Sequence, residues 1–174
     1  KLADTLPGFH VTPIYLKQYE NVGTQSKVYS KSPEIEHCFN FINHRKNWAH
    51  VLENAQMQKR LRLRPIHGDP KVNNVMIDTI NSQAISIIDL DTVKPGLVHY
   101  DIGDCLRSGC NPLGEETEYW ERVSFNTDIC QSVLGGYLAV AKDFLTENDY
   151  IYMYDEIRLN AFELGLRFFT DYLS

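Results

Sequence analysis

No stretch of this chain is apolar for long enough to span a bilayer as a helix, which takes about 20 residues, and no signal-peptide pattern opens it. No membrane partner is therefore expected. Basic residues are not in excess: 17 Lys and Arg stand against 23 Asp and Glu, a net charge of −6. A nucleic-acid partner would want a basic surface, so none is expected either. The balance still allows a nucleotide, whose phosphates are held locally by a metal and one or two basic groups. Cysteine is scarce, and Cys38, Cys105, Cys110 and Cys130 form no C-x-x-C pair. The histidines do not fall at zinc-finger spacing, so a cysteine-built metal site is not expected. The four read as buried free thiols of a cytoplasmic protein.

What is present suits one soluble domain with a real core: 174 residues, 43% hydrophobic and 23% charged. The chain opens on Lys1 rather than Met, which reads as a fragment. Residues 1–31 carry Pro7, Gly8, Pro13 and Gly23 among polar residues and read as an irregular linker, the remnant of an inter-lobe segment. Residues 32–174 read as the domain proper. Ser32-Pro33-Glu34 has the chemistry of a helix start: a cap, a first-turn proline and an acid at the positive end. Ile35, Phe39, Ile42, Ala49 and Leu52 follow at helical spacing, with a break around Lys46.

Residues 75–78 and 85–89 are short β-branched runs around a turn-like Asn81-Ser82, the pattern of a hairpin. Downstream the period becomes helical. Ile129, Val133, Tyr137, Val140 and Phe144 form one stripe. Thr146 and Asp149 suit a capping box, and Tyr150, Tyr154, Ile157, Ala161, Leu164 and Phe168 form the next stripe. Both stripes read as core faces. The fold expected is mainly α with a small β-hairpin.

Two stretches carry chemistry. His67-Gly68-Asp69-Pro70-Lys71-Val72-Asn73-Asn74 matches the frame H-x-D-x-x-x-x-N of a kinase catalytic loop. Asp69 can take the proton of a hydroxyl that attacks a γ-phosphate. Asn74 can turn back to hold magnesium on the phosphates. Lys71 can neutralise charge on the moving phosphoryl group. His67 reads as a packing and hydrogen-bonding strut. Alone this frame is a weak signal. The second stretch, Ile87-Ile88-Asp89, ends the hairpin twenty positions after Asp69. A hairpin between loop base and metal-bridging aspartate is the kinase plan, and Asp89 fits the latter role. An aspartate and an amide oxygen suit magnesium, which prefers hard oxygen ligands. A surface hairpin ending in a turn-forming Asp is the plain alternative.

His67–Asn74, Ile87–Val93 and Tyr100-Asp101-Ile102-Gly103-Asp104 together resemble the aminoglycoside phosphotransferase superfamily. Asp89–Gly96 and the tail Glu163–Leu173 are similar to its branch of anomeric N-acetylhexosamine kinases. The resemblance covers about residues 65–174. It implies the C-terminal lobe of a protein-kinase-like fold, with ATP and Mg2+ as cofactors and a small-molecule acceptor, a sugar in that branch. It implies Asp69 as base and Asn74 and Asp89 as magnesium ligands, with Lys71 also on the nucleotide phosphates. Asp69 and Arg167 would meet the acceptor. A surface ion pair on the last helix is the other reading of Arg167. Asp101, Asp104 and Arg107 would brace the loop after the metal ligand.

Gly68 and Pro70 stand where that branch more often has Asn and Thr, which bears on the acceptor more than on the chemistry. Nothing before residue 60 resembles a Gly-rich phosphate loop. A nucleotide-binding N-terminal lobe of about 100 residues is expected in cis, and the face that meets it should be unusually apolar or mobile. Choline, an amino alcohol or an aminoglycoside would be acceptors for the same mechanism. A metal-dependent hydrolase and a non-catalytic binding domain are readings of other classes.

Overall fold

The computed structural model describes residues 2–25 and 32–174. Its first helix, α1 (Thr12–Gln25), falls inside the segment read as an irregular linker. That reading is corrected. Leu16 and Tyr19 of α1 are buried in the main core, and α1 packs along the last helix. Pro7 and Gly8 precede the helix, whereas Pro13 falls in its first turn, where proline is tolerated, and Gly23 near its end, so neither breaks it. Even those leading residues are tied down. Lys94, 3% exposed, donates its ammonium to the carbonyls of Leu6 (2.8 Å) and Phe9 (3.1 Å). Residues 26–31 of the proposed linker lie outside the described residues.

Helix α2 (Pro33–Arg45) starts as its sequence requires. The Ser32 hydroxyl accepts from the Ile35 amide, Pro33 occupies the first turn, and Glu34 and Glu36 face the positive helix end. A single-turn 3-10 helix (Trp48–His50) and the short α3 (Val51–Met57) follow the break at Lys46. Next come strands β1 (Arg64–Ile66), β2 (Val75–Ile77), β3 (Ala84–Ile87) and β4 (Lys94–Gly96). The antiparallel pair β2–β3 is the expected hairpin, with Ser82 in left-handed backbone at φ 57° in its turn. The pair β1–β4 is a second small sheet, also antiparallel, in the register Pro65↔Pro95. Two prolines facing each other gave no strand signal, since proline cannot donate to a ladder. These two sheets hold all the strands among the described residues, and the rest is mainly helical.

Helices α4 (Val98–Gly109), α5 (Thr127–Ala141) and α6 (Glu147–Leu173) complete the fold. The Thr146–Asp149 capping box is present in both directions. Replacing such a cap by alanine typically costs about 1 kcal/mol. Asp149 also pairs with Arg64 at 3.3 Å, which pins β1 to the start of α6. The buried face of α6 differs from the one read in the sequence. Tyr150, Tyr154 and Phe168 are exposed, while Met153, Leu159, Phe162, Leu166 and Phe169 are buried. The buried face also takes in Glu156, Asn160 and Glu163. Those polar residues disguised it, because a hydrophobic-period search counts them as surface. On α5, Ile129, Val133 and Tyr137 pack against a second small core at Ile102, Leu106 and Cys110. Val140 and Phe144 of that stripe are exposed. The α4–α6 contact is the spine on which both cores rest.

The four cysteines are free thiols. Only Cys110 is fully buried, and the other three are half-buried. No helix among the described residues is long and apolar enough to cross a membrane.

Candidate active site

Strand β1 ends at Ile66, and the chain enters a loop whose backbone is bonded at nearly every step. The carboxylate of Asp101, on α4, accepts the amides of both His67 and Gly68 at 2.8 Å. The Thr92 hydroxyl donates to the His67 carbonyl at 2.7 Å. Gly68 sits at φ +88°, and a Cβ there would lie 2.7 Å from the Thr92 carbonyl oxygen. Glycine is thus required by both backbone and space. Asp101 was expected to brace the loop after the metal ligand. It braces the loop before Asp69 instead, because α4 starts directly beneath β1. Burial raises the pKa of Asp101, and the two amides it accepts work against that rise.

Asp69 then projects from the loop half-exposed. Its Oδ2 meets the Lys71 ammonium at 3.0 Å and the Asn74 amide nitrogen at 3.2 Å. The same nitrogen donates to the Asp69 carbonyl at 2.7 Å. Hydrogen bonding to Asp69 is the main cause that raises the pKa of Lys71, and Asp89 adds to it from further off. Asn74 closes a 3-10 turn (Val72–Asn74) and is 6% exposed.

The hairpin returns the chain to this spot. The Ile88 amide donates to the Asn74 carbonyl at 2.9 Å, and the Ile88 carbonyl accepts from His67 Nε2 at 3.0 Å. His67 is therefore a strut between loop and hairpin. Asp89 comes next, at φ 63°, ψ 61°. Left-handed backbone costs an ordinary L-residue about 1–2 kcal/mol. Here the bonds of Ile88 on one side and the 3-10 turn Leu90–Thr92 on the other hold it. The Asp89 side chain is exposed and has no ion pair among the described residues.

Asp69 and Lys71 open onto a cavity of about 250 Å³. Arg167, from α6, lines the same cavity. Its guanidinium lies 5.1 Å from the centre of the Tyr15 ring and has no carboxylate partner among the described residues. The ion-pair reading of Arg167 is thus not what the structure contains. Arg107 crosses the cavity wall, bound to Asp104 at 2.7 Å, to Glu115, and to Asn160 at 2.9 Å. Burial works against its charge, and the two acids more than offset that. Asp104 and Arg107 therefore belong to the cavity rather than to a loop brace. His10, Asn160 and Glu163 also line it, and the sequence reading assigned them no role. Glu163 was visible in the tail motif, whereas His10 sat in the segment dismissed as linker.

Asn74 and Asp89 do not line this cavity. Asn74 is bonded to Asp69 and its carbonyl accepts from Ile88, the residue before Asp89, whose charge reaches Lys71. A larger apolar groove of about 700 Å³ runs along a different face of α6, past Phe41, Trp48 and Phe162, and contains none of the loop residues.

A loop aspartate held by an asparagine five positions on, followed by a hairpin that ends in a second aspartate, is the arrangement the sequence pattern predicts. The chain belongs to the phosphotransferase enzyme family, whose family model matches residues 3–126. That family implies a phosphotransferase, or kinase, of small substrates.

Proposed function

We propose that this chain carries the catalytic lobe of an ATP-dependent small-molecule kinase of protein-kinase-like fold, whose acceptor is the anomeric hydroxyl of an N-acetylhexosamine-like sugar. The observation that carries the reading is the shared cavity of Asp69 and Arg167, with Asn74 bonded behind the base.

In the step proposed, the acceptor hydroxyl oxygen bonds to the γ-phosphorus of ATP, the bond to the bridging oxygen breaks, and ADP leaves. The hydroxyl proton passes to Asp69. Its Oδ2 is already engaged by Lys71 and Asn74, so Oδ1 is the atom left to receive it. Lys71 sits where an ammonium offsets charge on the transferring group.

The donor set fits magnesium. The Asn74 nitrogen is spent on Asp69, which leaves its side-chain oxygen as the donor, and the Asp89 carboxylate is exposed and has no ion pair among the described residues. These two residues would hold the ion, which would neutralise phosphate charge.

The acceptor reading rests on which charges are already spent. Asp104 and Glu115 are bound to Arg107, and Glu163 accepts from Thr12 at 2.9 Å. Arg167 is the lining cation without a carboxylate among the described residues. That favours an acceptor rich in oxygens over an ammonium-bearing choline or aminoglycoside. The small cavity also suits a single sugar ring better than a multi-ring acceptor.

A nucleotide-binding lobe in cis would cover the β2–β3 hairpin. Both its strands are exposed, and they carry Val75, Met76, Ile77, Ile85 and Ile87. Surfaces of that kind are normally covered.

The test is ADP release by the full-length protein with ATP and magnesium, against a panel of hexosamines, choline and aminoglycosides. Turnover with N-acetylhexosamines alone is the expected result. Turnover with choline or aminoglycosides alone would move the acceptor reading. No acceptor-dependent ADP release at all would overturn the kinase reading.

A further inference from the structure

We propose that His10 is a positioning residue for phosphoryl transfer, acting through the Gly68 carbonyl to fix the peptide unit that leads into Asp69. The inference rests on the kinase reading of the Asp69 site.

That peptide unit has two polar ends, and each is held by a histidine. At its carbonyl end, His10 Nε2 lies 2.7 Å from the Gly68 oxygen. A carbonyl can only accept, so Nε2 carries the proton. At its amide end, the Asp69 N–H donates to His67 Nδ1 at 3.3 Å. His67 Nε2 in turn donates to the Ile88 carbonyl, which leaves Nδ1 free to accept. Rotation about the bonds that flank this peptide would alter the direction in which the Asp69 side chain leaves the loop. A glycine on its near side gives the least intrinsic resistance to such rotation. His67 restrains the amide end from within the loop, and His10 restrains the carbonyl end from 58 residues earlier in the chain.

His10 is itself held in place. It is 6% exposed and sits at φ 64°, in the left-handed region. Such backbone persists only where its surroundings fix it, and it clusters at functional sites. The ring lies over Tyr100 at 5.8 Å between centroids. Its Nδ1 is 3.5 Å from Glu163 Oε1, beyond hydrogen-bond geometry but within ion-pair reach. Glu163 is 3% exposed, and its other oxygen accepts from the Thr12 hydroxyl. Asp104, on α4, is the second acid whose charge reaches the ring. Burial acts against protonation of His10, and Glu163, the Gly68 carbonyl and Asp104 together more than offset it, so its pKa is raised. Whether the ring is neutral or cationic, Nε2 remains the donor to Gly68.

A purely structural role would put the loss in stability, and a binding role would put it in KM. A positioning role puts it in kcat, because misplacement of the base costs the transition state more than the ground state. The experiment compares His10→Phe and His10→Gln in the full-length protein, with kcat, both KM values and thermal unfolding measured for each. Phe keeps an aromatic ring against Tyr100 and has no donor. Gln supplies an N–H donor in place of the imidazole. His10→Phe should lose at least about tenfold in kcat, with KM for ATP and acceptor within about twofold. His10→Gln should recover most of that loss. Equal losses in both variants, an unchanged kcat in His10→Phe, or a loss confined to acceptor KM would each overturn the proposal. Nitrogen-15 spectra of the unsubstituted protein give a check that needs no variant: the His10 ring must carry its proton on Nε2. A bare Nε2 would overturn it. If the unsubstituted protein transfers no phosphoryl group, the kinase reading fails instead, and the two failures are distinguishable.

Discussion

The side-chain amide of Asn74 donates twice to Asp69, to its backbone oxygen at 2.7 Å and to its Oδ2 at 3.2 Å. One nitrogen thus sets both the position and the rotation of the proposed base. It also settles which end of the amide is free, since the nitrogen is spent and the oxygen is not. A residue read as a metal ligand is therefore also a bracket for its neighbour.

Asp69→Asn tests the base. An amide oxygen can still accept from Asn74, so the loop should keep its shape. It cannot take the hydroxyl proton. Positioned acid–base groups contribute about 10²–10⁴-fold in rate, and kcat should fall within that span. ATP–magnesium binding, followed by fluorescence titration, should change little. A variant with near-native kcat would remove Asp69 from proton transfer.

Asp89→Asn tests the second acid without disturbing its backbone. Asn is among the few residues that tolerate left-handed φ, so the φ 63° conformation should survive. What is lost is the charge. The magnesium concentration for half-maximal rate should rise several-fold, along with a loss of rate. Titrating magnesium at fixed ATP separates this from Asp69→Asn, where the rate falls and the magnesium requirement does not move.

Much of this site was legible because its chemistry is local in sequence. The spacing from His67 to Asn74 fixes a loop that can turn back on itself, and the β-branched runs around Ser82 fix a hairpin that can return Asp89. The Ser32-Pro33 and Thr146–Asp149 starts were legible for the same reason, since a cap and its target lie three residues apart. What was missed depends on distance. Nothing near His10 announces that it will meet Gly68, and nothing in Lys94 announces two carbonyls near the N-terminus. On α6, the face that packs was hidden by the acids it buries, and the exposed Tyr154 and Phe168 looked more like core.

Arg167→Ala tests the acceptor reading. The guanidinium packs over Tyr15 and spends none of its charge on a carboxylate among the described residues. Its loss should therefore leave the fold nearly as stable and raise the acceptor KM about tenfold or more, with little change for ATP. Arg167→Lys should recover only part of the affinity, because a lysine cannot reproduce the planar donor fork. Steady-state kinetics with each substrate varied in turn would decide it. An unchanged acceptor KM would remove Arg167 from the acceptor pocket and weaken the sugar reading with it.

Glu156 makes the pH behaviour of the fold testable. It is 2% exposed, and its Oε2 has no hydrogen-bond partner among the described residues. The backbone of Gly103 lies against it so closely that a Cβ there would come within 2.7 Å of Glu156 Cγ. Burial is the main cause that pushes its pKa well above 4.5. The nearby acids Glu163, Glu53 and Asp104 add to the rise, and a hydrogen bond with Asn160 opposes it. The sign follows from linkage. Below the unfolded pKa both states hold the proton, and Glu156 adds no pH dependence. As pH rises above 4.5, the unfolded chain releases the proton while the folded protein retains it. Stability therefore falls with rising pH until the folded pKa is passed. Glu156→Gln keeps the size of the side chain and removes the titration. Its melting temperature should exceed that of the unsubstituted protein at pH 8 by more than it does at pH 5, and the two curves should draw together on acidification. Thermal unfolding by circular dichroism across pH 5–8 measures this directly. Parallel curves at every pH would show that Glu156 ionises in the folded protein much as it does in the unfolded chain.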